Sequence, residues 1–563
     1  MYLQQIQIKI EQILSQKYNT KIIVKTNLKD DLFEFYLPLF PYIKKLNTDI
    51  NKIFEYFQKD LISISEIDKI FLEKGFCKIK LKSSIFITRI LTNVLKNKEK
   101  YAQQKSNNKT VIIDYSSPNI AKNFSIGHLR STVIGHTLKK IYQKLGFNVI
   151  GINHLGDWGT QFGKMIFAYQ KWGNQETIAK DPINELQKLY VFFHQKAEEN
   201  PKLNEEAKQI FLKLEQKEPV ITKLWKWFKK ISLKEFQKIY HLLGIEFDYY
   251  IGESFFDQFI PDVLSELKEK KLMKLDNNAY IIPLEKPFFP VLVQKNNGST
   301  LYFTREIACV LNRYKQFEFH KCLFVVGNEQ KLHFQQLKKV IEKMGYNYDL
   351  IHVNFGLITV QNIKISSRKN NQFQLKNIIQ KTVDEAQKVI QAKNPNLENI
   401  NQIATQIAIG AIVFNDLKND RHLDIDFNLK QMLQFEGNTG PYLQYTIVRL
   451  YSLIRKNNLV EICLPQYWEP FLFYYQQPHY FNLIKLIDSF DMILKKSQEH
   501  HMPSILARYI FQLAKSTNQF YTKEKILVNN SILKKANLLL IETILIVLEE
   551  GLKILGIPIL TKM

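Results

Sequence analysis

The sequence predicts an α/β protein of several domains, with a parallel sheet and a helical insertion between a small α+β region and an all-α region. A buried-type strand, a helix and a second strand follow one another over about 45 residues, from Val111 to Ile152. This order is typical of parallel strands joined by a crossover helix. Helical period returns at about 175–290 and from about 375 onwards, and the length of 563 residues suits roughly three to five domains.

The first region, residues 1–105, is predicted to be a small α+β domain. Its N-terminal segment has the amphipathic pattern of a helix or a strand, and the alternation at Lys21–Lys25 and Cys77–Leu81 favours strands. A segment dense in Lys, Asn and Gln, residues 96–109, predicts a solvated boundary. The predicted domains are therefore 1–105, 106–375 with an insertion at about 175–290, and 376–563.

The central region begins with a β-branched run, Val111–Ile113, that is typical of a parallel strand buried on both faces. A helix follows, because apolar residues recur every three or four positions from Leu129 to Leu145, and Gly146 stops it. Phe147–Ile152 is the next predicted strand. Two later apolar runs, Cys322–Val326 and Leu350–Val353, predict further buried strands.

The overall composition is that of a globular protein with an excess of positive charge. Lys and Arg number 78 against 54 Asp and Glu, a net charge of +24 that favours a polyanionic partner. A codon bias towards Lys would produce the same excess of positive charge without a polyanionic partner. Charge alone therefore does not decide between codon bias and nucleic-acid binding. The four cysteines form no Cys-x-x-Cys pair, so we expect no protein-bound zinc. We also expect a cytoplasmic protein that does not enter a membrane, because no membrane-length apolar run or targeting segment is present.

The strongest candidate site is the loop after the first strand of the central region, from Asp114 to His128. Ligands of open parallel sheets bind beyond the carboxyl ends of the strands. Gly127 allows close approach to the backbone, and His128 lies in the first turn of the helix, where unpaired N–H groups favour phosphate. A Gly-His pair by itself is weak evidence, and its position between strand and helix makes it a nucleotide-site candidate.

Several motifs, taken together, resemble those of one known protein family. Ser117–Lys122, Gly127–Thr132, His154–Gly163 and Gly252–Ser254 occur in the order and spacing of the arginyl-tRNA synthetases, a class I family, and the similarity continues to the C-terminus. The resemblance implies a Rossmann-like catalytic domain, an added N-terminal domain that touches the outer corner of tRNA, and a helical anticodon-binding domain. It also implies a monomer whose substrates are L-arginine, tRNA(Arg) and ATP with Mg²⁺.

Gly127 and His128 match the family's first nucleotide signature, Ser125 occupies its first position, and Lys122 matches the Lys that precedes it; all four are candidate catalytic residues. The family usually has His where this chain has Ser125, and that His is thought to help hold the ATP phosphates. A hydroxyl can donate a hydrogen bond but carries no charge. We therefore expect lower turnover, or compensation by Lys122.

The resemblance places the arginine pocket on residues from two segments. Tyr302, Glu306 and Gln330 match the residues around the guanidinium, although the family usually has Asp in place of Glu306. A guanidinium is a planar, permanently charged fork, so carboxylates are its natural partners. Asp114 is a second carboxylate candidate, and the remaining substrate residues are expected to be Ser117, Pro118, Asn119 and His128. The alternative for Glu306 is an ordinary helix residue that pairs with Arg305.

Two further segments carry predicted functional residues. In Lys364–Lys369 we expect Ser366, Arg368 and Lys369 to act on the pyrophosphate leaving group, although a register that starts at Lys364, or a plain solvated loop, also fits the pattern. Tyr442 and Tyr445 lie three positions apart, on one face of a predicted helix. If exposed they can stack on anticodon bases, and if buried they are core residues.

Two other functions are also consistent with the sequence. Another class I synthetase would have a different amino acid pocket from the set Tyr302, Glu306 and Gln330. A tRNA-binding paralogue with impaired catalysis would account for Ser125, Glu306 and the degenerate basic loop.

Overall fold

The computed structural model describes residues 2–27, 33–295, 298, 301–360, 363–364, 374–457 and 464–563. Contacts between Cα atoms divide the chain into two units, residues 105–433 and residues 1–104 together with 434–563. The three-domain division proposed from the sequence, with boundaries after 105 and 375, stays a prediction.

The N-terminal region is an antiparallel sheet packed with helices. The sheet has the order β1-β2-β4-β3, with β1 Lys25–Thr26, β2 Phe35–Pro38, β3 Ile67–Glu73 and β4 Phe76–Leu81. The helices are α1 Tyr2–Lys17, α2 Ile43–Leu46, α3 Ile50–Leu61 and α4 Ser83–Asn97. Strand β4 buries Cys77, Ile79 and Leu81 and turns the residues between them outwards, as its alternation predicts. The amphipathic N-terminus is helical, and the strand expected at Lys21–Lys25 is limited to Lys25–Thr26.

Residues 105–433 contain the parallel sheet and all the other strands found in the described residues after β4. The strands are β5 Thr110–Asp114, β6 Asn148–Leu155, β7 Tyr249–Gly252, β8 Lys274–Asp276, β9 Ala279–Ile282, β10 Val291–Lys295, β11 Lys321–Phe324, β12 Leu350–His352, β13 Ile358–Val360, β14 Ile363–Lys364 and β15 Ile425–Asp426. The helices are α5 Ile126–Lys144, α6 Thr160–Trp172, α7 Gln175–Lys180, α8 Pro182–Glu199, α9 Lys202–Glu215, α10 Pro219–Leu242, α11 Glu253–Phe256, α12 Ile260–Glu269, α13 Tyr302–Phe317, α14 Lys331–Lys343, α15 Leu375–Lys393, α16 Ile400–Leu417 and α17 Leu429–Met432.

The central sheet has the order β12-β11-β5-β6-β7, and every neighbouring pair is parallel. Val111, Ile112 and Ile113 of β5 are fully buried, which the apolar β-branched run predicts for a central strand. Helix α5 crosses from β5 to β6 and ends before Gly146, whose φ is +82°. The predicted α/β fold with a parallel catalytic-type sheet is confirmed.

The helical insertion is shorter than its predicted span of 175–290. Its helices α7–α10 end at Leu242, and the next element, β7, pairs with β6 as the fifth strand of the parallel sheet. Strand β7 has four residues, too few to show a strand period between helical neighbours. Strands β8, β9 and β10 form a separate antiparallel sheet.

The C-terminal region is helical in its described residues, 434–457 and 464–563. Its helices are α18 Gly440–Lys456, α19 Glu469–Tyr475, α20 Pro478–Asp488, α21 Phe490–Glu499, α22 Pro503–Lys523 and α23 Ser531–Leu555. The predicted all-α character holds for the described part of this region.

The N-terminal and C-terminal regions pack against each other within one unit. The buried Asp488 carboxylate accepts hydrogen bonds from the backbone N–H groups of Tyr2 (2.9 Å) and Leu3 (3.0 Å), in the first turn of α1. A carboxylate at this position satisfies N–H groups that have no partner within the helix. Apolar packing supports the contact, for example between the rings of Phe86 and Phe481, whose centroids are 5.5 Å apart.

A buried ion pair fixes helix α5 to α16. The Arg130 side chain is 1% exposed, and its Nε lies 3.1 Å from Oδ2 of Asp416. Its Nη1 donates to the carbonyl oxygens of Gly356 (2.7 Å) and Leu423 (2.8 Å). The helix that begins at the candidate nucleotide loop is therefore anchored to the segments after β12.

Replacing Asp416 should destabilise the protein strongly, because Arg130 would be left charged and buried without its partner. We expect Asp416→Ala to lower the free energy of unfolding by about 3–5 kcal/mol in urea titrations. The exposed pair Glu385–Lys388, 2.7 Å apart, is the control, and Glu385→Ala should cost less than about 1 kcal/mol. Equal losses for the two variants would contradict the assigned importance of the buried pair.

Candidate active site

The loop that leaves the central strand β5 has an unusual backbone. Ser116, Ser117 and Ala121 have φ values of +74°, +46° and +59°, in the left-handed region that costs energy for residues with a Cβ. The Ser117 hydroxyl donates to Oδ1 of Asp114, the last residue of β5, at 3.0 Å. Asp114 and Ser117 thus lie together at the carboxyl end of the sheet, where the sequence predicts the site.

The loop continues alongside the end of strand β6. Gly156 N–H donates to the carbonyl of Pro118, and Ile120 N–H donates to the carbonyl of Gly156, both at 3.1 Å. The side chain of Asn119 lies directly on Gly156, where an added Cβ would come within 2.2 Å of its Oδ1. Glycine at 156 therefore permits Asn119 to occupy this position next to Ser117.

The start of helix α5 joins Ser125 to His128. Ser125 is the N-cap, and its backbone N–H and its hydroxyl both lie 3.1 Å from Nδ1 of His128. Burial, followed by the charge of Lys122, lowers the pKa of His128 to about 4. A neutral imidazole that accepts at Nδ1 has its proton on Nε2, so His128 can donate a neutral hydrogen bond from Nε2. Ser125 has a structural role as a cap that the sequence analysis did not predict.

A buried ion pair lies beside this loop. Oδ2 of Asp114 is 2.7 Å from Nη2 of Arg313, a residue of α13 that is 1% exposed. The same Nη2 lies 3.3 Å from Nδ1 of His154. Asp114 therefore has a cationic partner in this structure, as Asp157 has in Lys229, which distinguishes both from Glu253 and Glu306.

Helix α13 also supplies two of the predicted pocket residues. Tyr302 begins the helix, and Glu306, one turn further along, acts on the Tyr302 hydroxyl through its negative charge. Desolvation, followed by the charges of Glu306, Glu253 and Asp114, raises the pKa of Tyr302. Glu306 is buried, and the neighbouring Arg305 pairs instead with Asp257, at 3.1 Å. These contacts place Tyr302 and Glu306 in one negatively charged cluster.

Glu253 is a third carboxylate of this cluster. Burial, followed by the charges of Glu306 and Asp157, raises the pKa of Glu253 to about 8, and the charge of Arg305 opposes this rise without cancelling it. Asp157 is held nearby by the Ser254 backbone N–H (2.9 Å) and hydroxyl (2.8 Å). Within the described ranges, neither Glu253 nor Glu306 forms an ion pair. Two carboxylates without cationic partners suit a cationic ligand.

For the other predicted site residues, the structure gives fewer contacts or none. Gln330 is exposed in the turn Asn328–Gln330, where its backbone N–H donates to Gly327. His333, one turn later, lies against the ring of Tyr302 with centroids 5.3 Å apart. Ser366, Arg368 and Lys369 lie outside the described residues.

Sequence reasoning assigned no role to Glu253, Arg313 and His333. Glu253 could have been predicted, because it is the carboxylate within the Gly252–Ser254 motif. Arg313 could also have been predicted, because it lies two helical turns after Glu306 and so on the same helix face. His333 gave no comparable signal, because its proximity to Tyr302 depends on the packing of α14 against α13.

The predicted tRNA residues lie on α18, in the unit formed by residues 1–104 and 434–563. Tyr445 is 39% exposed, and the guanidinium of Arg449 lies over its ring at 5.0 Å. The same guanidinium lies 4.9 Å from the ring centre of Tyr521. Tyr442 is half-buried against Phe511, with ring centroids 5.5 Å apart. Tyr445 is thus the more accessible of the two predicted rings.

The described residues contain no group of three or more His, Cys, Asp or Glu side chains that could hold a metal ion. None of their helices is long and apolar enough to cross a membrane.

Comparison with protein families places the fold and the site in a known class. The model of the class I (R) tRNA synthetase catalytic domain matches residues 90–429, and that of the DALR anticodon-binding domain matches 443–563. Together with the parallel sheet and the loop from Asp114 to His128, these matches define a class I tRNA synthetase.

Individual relatives narrow the class. The arginine–tRNA ligase of Halothermothrix orenii is 39% identical and covers 99% of both chains, and that of Clostridioides difficile is 40% identical over 97% of this chain and 96% of its own. The crystal structure of arginyl-tRNA synthetase from Plasmodium falciparum superposes with a TM-score of 0.81 and 26% identity, covering 100% of this chain and 99% of its own. The chain belongs to the arginyl-tRNA synthetase family, which confirms the resemblance inferred from its motifs.

The raised pKa of Glu253 gives a testable dependence of stability on pH. The folded protein holds a proton on Glu253 up to about pH 8, whereas an unfolded Glu loses it near 4.5. Between about pH 5 and about pH 8 only the folded state keeps the proton, so the free energy of unfolding of the wild type should fall relative to that of Glu253→Gln as pH rises. Above about pH 8 the difference between the two proteins should stay constant. The Tm of both proteins across this range measures the effect. A difference that does not change with pH would contradict it.

Proposed function

We propose that the chain joins L-arginine to tRNA(Arg) in two steps. In the first, the arginine carboxylate attacks the α-phosphate of ATP, supplied with Mg²⁺, and pyrophosphate leaves from arginyl-adenylate. In the second, the terminal ribose hydroxyl of tRNA attacks the activated carbonyl, and AMP leaves. Neither step needs a covalent enzyme intermediate, so positioning and charge stabilisation account for the rate.

The observation that carries this proposal is the carboxylate cluster beside the nucleotide-type loop, in which Glu306 is buried and Glu253 is half-buried. The charges of Glu253 and Glu306 both raise the pKa of Tyr302, and neither carboxylate forms an ion pair among the described residues. An arginine guanidinium would supply the missing charge and could hydrogen-bond both carboxylates through its planar fork. We assign Glu253 and Glu306 to the guanidinium, with Tyr302 beside Glu306.

The other end of arginine would meet the loop after β5. Ser117, Pro118 and Asn119 lie between Asp114 and Gly156, where an α-amino group can contact a hydroxyl and an amide oxygen. We assign Asp114 to the same end, and its pairing with Arg313 supports a role in fixing Ser117. Gln330 completes the set proposed from the family resemblance.

The start of helix α5 would hold the nucleotide. Gly127 is exposed there, and neutral His128 can donate from Nε2 to a phosphate or ribose oxygen. The charge of Lys122 acts on His128, which places a cation at the same helix end. Ser125 would act mainly as the helix cap, and Lys122 would supply the charge that Ser125 lacks. Ser366, Arg368 and Lys369 are proposed for the leaving pyrophosphate.

The tRNA would be held by the N-terminal and C-terminal regions. We propose that Tyr445, with Tyr442 beside it, stacks on anticodon bases, and that residues 1–105 contact the outer corner of tRNA. The exposed ring of Tyr445 and the Arg449 guanidinium over it support the first assignment. A net charge of +24 favours binding of the phosphate backbone. We further propose a monomer that acts in the cytoplasm without bound zinc.

The arginine assignment is tested by charging assays and by Glu306→Gln. With purified tRNA, arginine should be incorporated, and lysine and the uncharged analogue citrulline should not. Glu306→Gln keeps the side-chain size and removes its charge, so the KM for arginine should rise at least about thirtyfold while the KM for ATP changes little. Glu318→Gln, at the exposed end of the same helix, is the control. An unchanged arginine KM in Glu306→Gln would overturn the assignment.

The tRNA assignment is tested by Tyr445→Ala. Loss of one stacked base should raise the KM for tRNA by about five- to a hundredfold and leave the KM for arginine unchanged. Phe473, which is 72% exposed on α19, provides a control for loss of a surface ring, and Phe473→Ala should have little effect. Equal effects of the two substitutions would refute a specific role for Tyr445.

A further inference from the structure

A buried tyrosine of the helical insertion touches the loop after β5. Tyr240 on α10 is 1% exposed, and its hydroxyl lies 2.7 Å from Oγ of Ser116. The same hydroxyl oxygen accepts a hydrogen bond from Nδ2 of Asn153 on β6, at 2.9 Å. Its ring packs against Phe124 and Phe247, with centroids 5.6 and 4.9 Å away. Tyr240 thus connects the insertion, the sheet and the loop.

The protons of this cluster can be assigned one by one. Oγ1 of Thr132 lies 2.6 Å from the carbonyl oxygen of His128 and 2.8 Å from Oγ of Ser116. A hydroxyl has one proton, and the His128 carbonyl can only accept, so Thr132 donates to it and accepts from Ser116. Ser116 must then accept from Tyr240, whose oxygen accepts from Asn153. One directed chain of hydrogen bonds therefore runs from β6 through Tyr240 to the first turn of α5.

The loop needs such a restraint, because its backbone conformation is unfavourable. Ser116 and Ser117 both have positive φ, at +74° and +46°. Residues with a Cβ keep this conformation only when surrounding contacts enforce it. Ser116 is held on both sides, since its backbone N–H also donates to Oγ of Ser131 at 2.8 Å. Ser117, the next residue, is bonded to Asp114.

The same helix holds the other end of the loop. Oγ of Ser232, a fully buried residue of α10, accepts a hydrogen bond from the backbone N–H of Ala121 at 3.0 Å. Ala121 is the third loop residue with positive φ, at +59°. Ser232 and Tyr240 are eight residues apart, about 12 Å along the helix. Helix α10 therefore contacts the loop near each of its left-handed positions.

We propose that Tyr240 is a positioning residue for the amino acid substrate, because it holds Ser116, and through it Ser117 and Asn119, in the geometry that receives the α-amino end of arginine. Ser232 has the same function at the far end of the loop. This inference rests on the proposed function of Ser117 and Asn119. Burial raises the pKa of Tyr240, so its hydroxyl keeps the proton that the chain requires. The insertion would thus shape the pocket without touching the substrate.

Tyr240→Phe tests the proposal, because it keeps the ring and removes the hydroxyl. The KM for arginine should rise by roughly five- to tenfold, the effect of one lost hydrogen bond, while the KM for ATP changes less than about twofold. Amide hydrogen exchange of residues 115–121 should become faster without substrates. This second measurement does not depend on charging activity, so failure of the proposed function and failure of this inference can be told apart.

Tyr475→Phe is the matched control. Tyr475 is also buried, and its hydroxyl donates to the carbonyl of Ala536 at 2.9 Å in the other unit. It should lower the Tm by a similar amount and leave both the arginine KM and exchange in the loop unchanged. The proposal would be overturned if Tyr240→Phe left the arginine KM unchanged or raised the ATP KM in parallel. It would also be overturned if Tyr475→Phe caused the same changes.

A double substitution adds an independent test. Ser116→Ala removes the acceptor of the Tyr240 proton, so Ser116→Ala with Tyr240→Phe should raise the arginine KM no more than either change alone. Additive effects would show that the two hydroxyls act separately, which refutes the proposed chain. If Tyr240→Phe does not fold, Ser116→Ala and Ser232→Ala carry the same prediction, a selective rise in the arginine KM.

Discussion

The site depends on the ion pair between Asp114 and Arg313 at the end of the central strand. A carboxylate buried at this position is tolerated because a guanidinium and the Ser117 hydroxyl satisfy its oxygens. The pair joins β5 to α13, the helix that also carries Tyr302 and Glu306. The Asp114–Arg313 pair therefore fixes the loop after β5, proposed for ATP and the α-amino group, relative to α13, proposed for the guanidinium.

Charge within the site is distributed unevenly, and this distribution explains how one amino acid could be selected. Arg313 pairs with Asp114, whereas Glu253 has two carboxylates, Glu306 and Asp157, and the more weakly acting Arg305 as electrostatic neighbours. Burial and the neighbouring carboxylates disfavour the charged form of Glu253 more than Arg305 favours it, so this cluster is electrostatically strained. A guanidinium would relieve that strain, and a neutral side chain of similar shape would not.

The sequence predicted elements with a strong local pattern and missed contacts that depend on packing. Val111–Ile113 was recognisable as a central strand from its composition, and α5 from its apolar period and Gly146. Strand β7 was included in the insertion because four residues, Tyr249–Gly252, show no period. The position of the site followed from the rule for parallel sheets, but the pairing of Asp114 with Arg313 joins residues 199 positions apart. No local pattern encodes such a pairing, or the cap formed by Ser125 and His128.

The pairing of the chain's two terminal regions has a consequence for biosynthesis. The backbone N–H groups at the start of α1 are capped by Asp488, so residues 1–104 complete their packing only with residues 434–563. At roughly 5–20 residues per second, a ribosome needs about 15–65 s to translate the intervening residues 105–433. During that interval the apolar side chains of the N-terminal region that pack on the C-terminal helices, Phe86 among them, are without those partners.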